Sequence, residues 1–245
     1  MKQLIKTLLK RSGWALIRHE EFPLSDLSAE EQQIIVSSKP FTMTSVPRMA
    51  ALLNSVNYIV KNRIPGDMCE CGVWRGGSMM VVAKTLVHLG DTSRTLYLYD
   101  TFEGMSAPTA ADETHKGKTA ESILANTPKG SGYWCYAGLD EVRANLLSTG
   151  YPAEKIQFVK GKVEDTIPGT LPAPLSLLRL DTDWYESTLH ELVHLYPLLN
   201  SRGVMVLDDY GYWKGTKKAV DEYFEKHGPV FLQLIDHAGR TVLKV

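Results

Sequence analysis

Two short apolar runs, each ending in a group of acids, set the tightest limit on how this chain folds. Leu175-Ser176-Leu177-Leu178-Arg179-Leu180 runs directly into Asp181 and Asp183, and Val204-Met205-Val206-Leu207 runs into Asp208 and Asp209. In an open α/β sheet, ligands lie outside the carboxyl ends of the strands, so acids at two neighbouring strand ends converge on one point. Converging Asp oxygens suit a hard cation such as magnesium, which needs neither His nor Cys and keeps positions open for water or substrate. A strand-end Asp also commonly caps the helix that follows. Two such groups together favour the cation.

The rest of the chain fits that frame. Thr44-Ser45 reads as a helix cap ahead of Pro47, with Met49, Leu52, Leu53, Val56, Ile59 and Val60 recurring at helical spacing until Pro65-Gly66. Strands are expected at Met68 to Val73, Thr95 to Tyr99 and Ile156 to Val159, with a helix from Gly76 through Leu86. An apolar-faced helix carrying Leu189, Leu192, Val193 and Tyr196 joins the two acid-ended strands, and Val230 to Ile235 with Arg240 to Val245 forms a terminal hairpin. Alternating strands and helices predict a mostly parallel seven-stranded α/β sheet with helices on both faces and an antiparallel C-terminal pair.

At 245 residues without a linker-like stretch, one large domain is expected, spanning 41–245 behind an N-terminal arm or lid at 1–40. Periodicity is lost between Met105 and Tyr136, which marks a functional insertion in which Tyr133, Trp134 and Tyr136 either stack on a sugar or anchor the core. The 27 Lys plus Arg against 28 Asp plus Glu argue against nucleic acid as a partner. Three cysteines give no disulfide scaffold, no signal peptide or spanning segment is read, and a cytoplasmic protein is expected. Met1 to Arg18 is basic and amphipathic. It suits contact with a membrane surface or partner and equally a docked lid or dimer arm, and a homodimer is expected.

Glu70-Cys71-Gly72-Val73-Trp74-Arg75-Gly76-Gly77-Ser78 leaves the first strand, turns and opens a helix, offering a small charged cofactor close backbone approach and free N–H groups. Such turns are common in α/β sheets. Asp100, 28 positions beyond Gly72 at the next strand end, sharpens the reading, because an acid there can accept both ribose hydroxyls of an adenosine; its plainer role is a loop cap. Gly161 to Asp165 lies where an adenine edge would be read, or is a solvated turn.

Five segments in order then resemble the macrocin O-methyltransferase family, which acts on macrolide sugars and noviose in antibiotic biosynthesis. They are Phe41 to Met49, Glu70 to Ser78, Tyr99 to Met105, Leu180 to Thr188 and Leu207-Asp208-Asp209-Tyr210. The likeness runs from about residue 40 to the C-terminus. It implies a class I, Rossmann-like S-adenosylmethionine-dependent fold and magnesium-dependent methylation of a hydroxyl on the vicinal diol of a sugar moiety, in a glycoside, natural product or surface glycan. It further implies that Met43, Thr44, Ser45, Glu70, Gly72, Arg75 and Ser78 hold the methionine part of the cofactor. Asp100, with Thr101 and Phe102 beside it, would hold the ribose, and Val163 and Glu164 would lie near the adenine. Asp181, Asp208 and Asp209 would bind the metal, with Asp183 as base or as a residue orienting a ligand.

Other classes remain to be weighed. A catechol-like small molecule would chelate a cation as a sugar diol does, and a non-catalytic nucleotide-binding scaffold would keep the glycine turn without needing the acids. His190-Glu191-Leu192-Val193-His194 matches the H-E-x-x-H zinc hydrolase pattern. At about 100° per residue, however, both His side chains fall roughly 110° to 150° from the centre of the apolar face, so they should point at solvent. No third-ligand spacing follows.

Overall fold

The computed structural model of the chain describes residue 12, residues 24–128 and residues 132–245. The basic segment from Met1 to Arg18, apart from residue 12, lies outside the described residues. Seven strands form one sheet: β1 (Asp67–Cys71), β2 (Leu96–Asp100), β3 (Ile156–Lys160), β4 (Leu175–Leu180), β5 (Leu199–Leu207), β6 (Gln233–Leu234) and β7 (Arg240–Leu243). Their order is β3-β2-β1-β4-β5-β7-β6. The first five are parallel, and β7 runs antiparallel to both β5 and β6. The chain reverses its direction of winding between β1 and β4, and the crevice above such a switch is where a doubly wound sheet binds ligands.

Alternate residues of β1, β2, β4 and β5 feed two cores. Met68, Leu96, Leu98, Leu177, Val204 and Val206 face the first. It is covered by α1 (Ala29–Ser38), α2 (Val46–Lys61), α3 (Gly77–Leu89) and α5 (Leu139–Leu147); α4 (Ala120–Ala125) lies in the insertion. Cys69, Cys71, Tyr99, Leu178, Leu180, Met205 and Leu207 face the second. Its cover comes from α6 (Val163–Thr166), α7 (Tyr185–Leu195) and α8 (Lys214–His227). Every residue of β4 is buried, as a central strand covered on both faces requires.

Several boundaries differ from those read in the sequence. The first strand stops at Cys71, because Gly72 turns with φ +81° and the next two amides, Val73 and Trp74, donate to the Asp100 carboxylate. The fifth strand starts at Leu199 rather than Val204, hidden in sequence by a polar stretch at which Arg202 takes φ +66°. Helix α1 is held by a capping box between Ser28 and Glu31, and Leu27, Ile34 and Ile35 join the main core, so that core extends into the segment read as an arm. The inner face of α7 is Ser187, Thr188, Glu191, Leu192 and Leu195, while Val193, expected inside, is 47% exposed.

The insertion has a core of its own. Ala120, Ile123 and Leu124 pack on Trp184 and Trp213, and Met105 N–H meets Trp134 O at 3.0 Å to close the segment at its base. The aromatics at its end differ in placement. Trp134 anchors, its indole bonding Thr127 O at 2.9 Å, whereas Tyr133 is 57% exposed and lines the adjacent cavity.

Candidate functional site

A cavity of about 530 Å³ opens at the carboxyl ends of β1, β2 and β4. It is lined by Gly72, Val73, Trp74, Ser78, Asp100, Thr101, Val163 and Glu164, by the acids Asp181, Asp183, Asp208 and Asp209, and by Ile123, Leu124 and Trp213. Met43 and Thr44, leading into α2, complete the wall.

Gly72 is dictated by packing as much as by any ligand. A Cβ there would sit 2.1 Å from Asp181 O, because the ends of β1 and β4 touch where Asp181 N–H meets Cys71 O at 2.9 Å. Gly77, at the start of α3, lies against the Phe41 backbone, which a Cβ would approach to 2.5 Å. Asp100 binds the turn together: one oxygen accepts Val73 N–H at 2.7 Å and Trp74 N–H at 3.0 Å, the other accepts Phe102 N–H at 2.7 Å. Burial raises its pKa despite these donors. The carboxylate is thus both a loop cap and a wall of the cavity.

Within the same cavity, carboxylate oxygens of Asp181, Asp208 and Asp209 lie within 4.8 Å of one another. Arg179, buried in β4, supplies the compensating charge. Its guanidinium donates to Asp181 at 2.8 Å and Thr44 Oγ1 at 2.9 Å, and also to Glu70 and Asp208. Arg48, from the first turn of α2, pairs with Asp208 and bonds Asp236 at 3.1 Å. Asp209 instead shares hydrogen bonds with the carboxyls of Asp181 and Asp183. Burial pushes the Asp181 and Asp209 pKa values up, in Asp181 against the pull of Arg179. Asp183 reaches about 7, raised by burial and by Asp181 and Asp208, and lowered by hydrogen bonds from Asp209 and the Trp213 side chain. Acids this close must share protons or take up a cation. Three Asp oxygen donors in reach of one point fit a hard divalent ion.

Not every residue proposed from sequence reaches the cavity. Ser45 caps α2, accepting Arg48 N–H at 3.3 Å and donating to Asp236 at 2.5 Å. Glu70 is fully buried behind Arg179, its pKa raised to about 7 by burial against the pull of that guanidinium. Arg75 points to Glu141 at 2.6 Å and Pro40 O at 3.1 Å, and Phe102 is buried in the core with φ +52°. These four brace the wall without lining it. Sequence reasoning missed Arg179 and Arg48; the one available signal was an arginine in the middle of a buried apolar run.

The His pair does not make a zinc centre. His190 Nε2 lies 2.9 Å from Ile167 O, its ring 4.4 Å from that of His194, and among the described residues no third metal-ligating side chain joins them. Glu191 turns the other way, fully buried and bonded by Thr182 Oγ1 at 3.1 Å. No solvent-side base is left for the zinc chemistry.

The chain is similar to known proteins. The family model for macrocin-O-methyltransferase matches residues 17–240. An 8-demethyl-8-(2,3-dimethoxy-alpha-L-rhamnosyl)-tetracenomycin-C 4'-O-methyltransferase from Streptomyces olivaceus is 33% identical over 191 residues, 76% of this chain and 69% of that protein. Demethyldecarbamoylnovobiocin O-methyltransferase from Streptomyces niveus is 32% identical over 76% of this chain and 68% of its own. The solved O-methyltransferase NovP superposes with a TM-score of 0.73 at 30% identity, covering 84% of this chain and 82% of that one.

Proposed function

Since the chain belongs to the macrocin O-methyltransferase family, we propose that it transfers the methyl group of S-adenosylmethionine to a hydroxyl of a sugar diol, with a divalent cation, magnesium in the first instance, held by Asp181, Asp208 and Asp209. The observation that carries the reading is one continuous cavity joining the glycine turn and Asp100 to the acid cluster, with Asp183 beside it. Gly72, Ser78, Thr44 and Met43 would hold the amino-acid part of the cofactor, Asp100 and Thr101 the ribose, and Val163 with Glu164 the adenine. The free thiols of Cys69, Cys71 and Cys135 suit a reducing, cytoplasmic setting.

A sugar hydroxyl is scarcely ionised at neutral pH and is a poor nucleophile. A cation held by Asp181, Asp208 and Asp209 would supply positive charge that lowers the pKa of an acceptor hydroxyl. Asp183, which lines the cavity beside the cluster, would receive the proton. Trp213 orients its carboxylate by hydrogen bonding, and Trp184 and Trp213 exclude water from that side. Fixing acceptor oxygen, methyl carbon and sulfur in line would be worth up to roughly 7 to 11 kcal/mol of barrier.

The test is titration calorimetry with S-adenosylmethionine, with and without magnesium, followed by turnover of glycosides bearing vicinal diols against catechols. Cofactor binding, loss of turnover with chelator or in D208N, and preference for the glycosides are expected. Undiminished turnover under either treatment removes the metal role, and preference for catechols replaces the acceptor class.

A further inference from the structure

Asp183 sits at the centre of a three-residue turn closed by Trp184 N–H donating to Thr182 O at 2.7 Å, with Asp183 at φ +67°. A turn of this hand is rare and strained for a residue with a side chain, and it persists only where its surroundings hold it. Two buried side chains from distant segments do so. Thr216, in the first turn of α8, donates from Oγ1 to the Asp183 carbonyl at 2.6 Å. Asp112, fully buried in the insertion, accepts Tyr185 N–H at 2.8 Å on one oxygen and takes Thr109 N–H at 2.7 Å and Thr109 Oγ1 at 2.9 Å on the other.

Helix α7 has no side-chain cap from its own Trp184, so Asp112 supplies one from 73 residues upstream, placing negative charge where the helix favours it. Gly215 makes room: a Cβ there would lie 2.2 Å from Asp112 Oδ1. The same neighbourhood ties the insertion down, with Lys214 N–H to Glu113 O and His115 N–H to Tyr212 O both at 2.8 Å.

We propose that Thr216 and Asp112 are positioning residues, clamping the strained turn that aims the Asp183 carboxylate at Asp209 and coupling the insertion to the reacting centre. The inference rests on the reading of Asp183 as the base. Each bond acts on backbone flanking Asp183, so its loss lets the turn relax and swings the carboxylate away. Neither bond involves the glycine turn or Asp100.

The test compares wild type, T216V and T216S by amide hydrogen exchange and by initial rates on a glycoside with a vicinal diol. T216V nearly preserves volume and removes the donor; T216S keeps it. Expected in T216V are exchange at Trp184 and Tyr185 faster by about tenfold or more, kcat lower by about tenfold to a hundredfold, and KM for S-adenosylmethionine within about twofold. T216S should recover kcat to within about threefold. Unchanged exchange in T216V overturns the clamp whatever the activity, as does wild-type kcat in T216V or a T216S variant as impaired as T216V. A wild-type protein that fails to bind S-adenosylmethionine overturns the functional reading instead, and the exchange measurement still decides the clamp.

Discussion

Replacing Arg179 with methionine removes the cation at the centre of three carboxylates. The guanidinium is buried and bonds Glu70, Asp181, Asp208 and Thr44. Deleting one partner of a buried ion pair leaves uncompensated charge and costs about 3 to 5 kcal/mol. At roughly 2 °C per kcal/mol for a chain of this size, the melting temperature should fall by about 8 °C. The loss should depend on pH. Glu70 has a pKa of about 7 in the fold against 4.5 for the ordinary carboxyl, so its contribution is full below the unfolded value and falls as pH rises through the folded one. Without Arg179 that pKa rises further, so the penalty of R179M should grow above neutrality, where the unfolded chain is ionised and the folded Glu70 holds its proton. Near pH 6, Glu70 carries its proton largely with or without the guanidinium, and the cost should shrink. Urea unfolding of metal-free R179M and wild type at about pH 6 and about pH 8 measures both effects. R179K should recover less than half, because one ammonium cannot reproduce the planar fork. A variant within about 1 kcal/mol of wild type at the higher pH would refute the claim that Arg179 neutralises the cluster.

The terminal hairpin offers a second pH signature. Burial alone would raise the Asp236 pKa, but N–H donors from Gly239 and Ala238, the Ser45 hydroxyl and the Arg48 charge bring it down to about 2. D236N should therefore cost about 2 kcal/mol at neutral pH, an effect present above the unfolded value of 3.8 and gone as pH falls through about 2, read by unfolding curves across that range. G72A should lose at least about 2 kcal/mol and cofactor affinity together, since its Cβ has no space before Asp181 O; a stable G72A that binds cofactor normally contradicts this packing. H190A should keep turnover and zinc independence, as measured by rates with and without added zinc, and any loss of activity restored by zinc would revive the hydrolase pattern.

Much of this molecule was fixed by local pattern. Apolar runs ending in acids, the glycine turn and the cap at Ser45 need only hydrophobic period, helix-end hydrogen bonding and backbone permissiveness, and each is written in a few adjacent residues. Helix α1 was not read in the arm, because its face is weakly apolar and the Ser28 and Glu31 capping box is its main local signal. The parallel character of the sheet was implied by strand-helix alternation, because parallel neighbours require crossovers, whereas the strand order came only with the structure.

Charge balance and posture were not legible. Arg179 reads as an interruption in a strand until the sheet places Glu70 on one side and Asp181 and Asp208 on the other. Glu191 reads as part of a metal motif until the helix turns it inward beneath Thr182, and Val193 reads as core until that same rotation exposes it. Asp112 and Thr216 are anonymous polar residues in sequence, yet from either side they hold the one backbone turn that aims Asp183. Sequence alone determined which acids exist and which strands present them, since both follow from residues next to one another. Only the tertiary structure decided how their charges are neutralised and where they point, because burial and partnership depend on segments far apart in the chain.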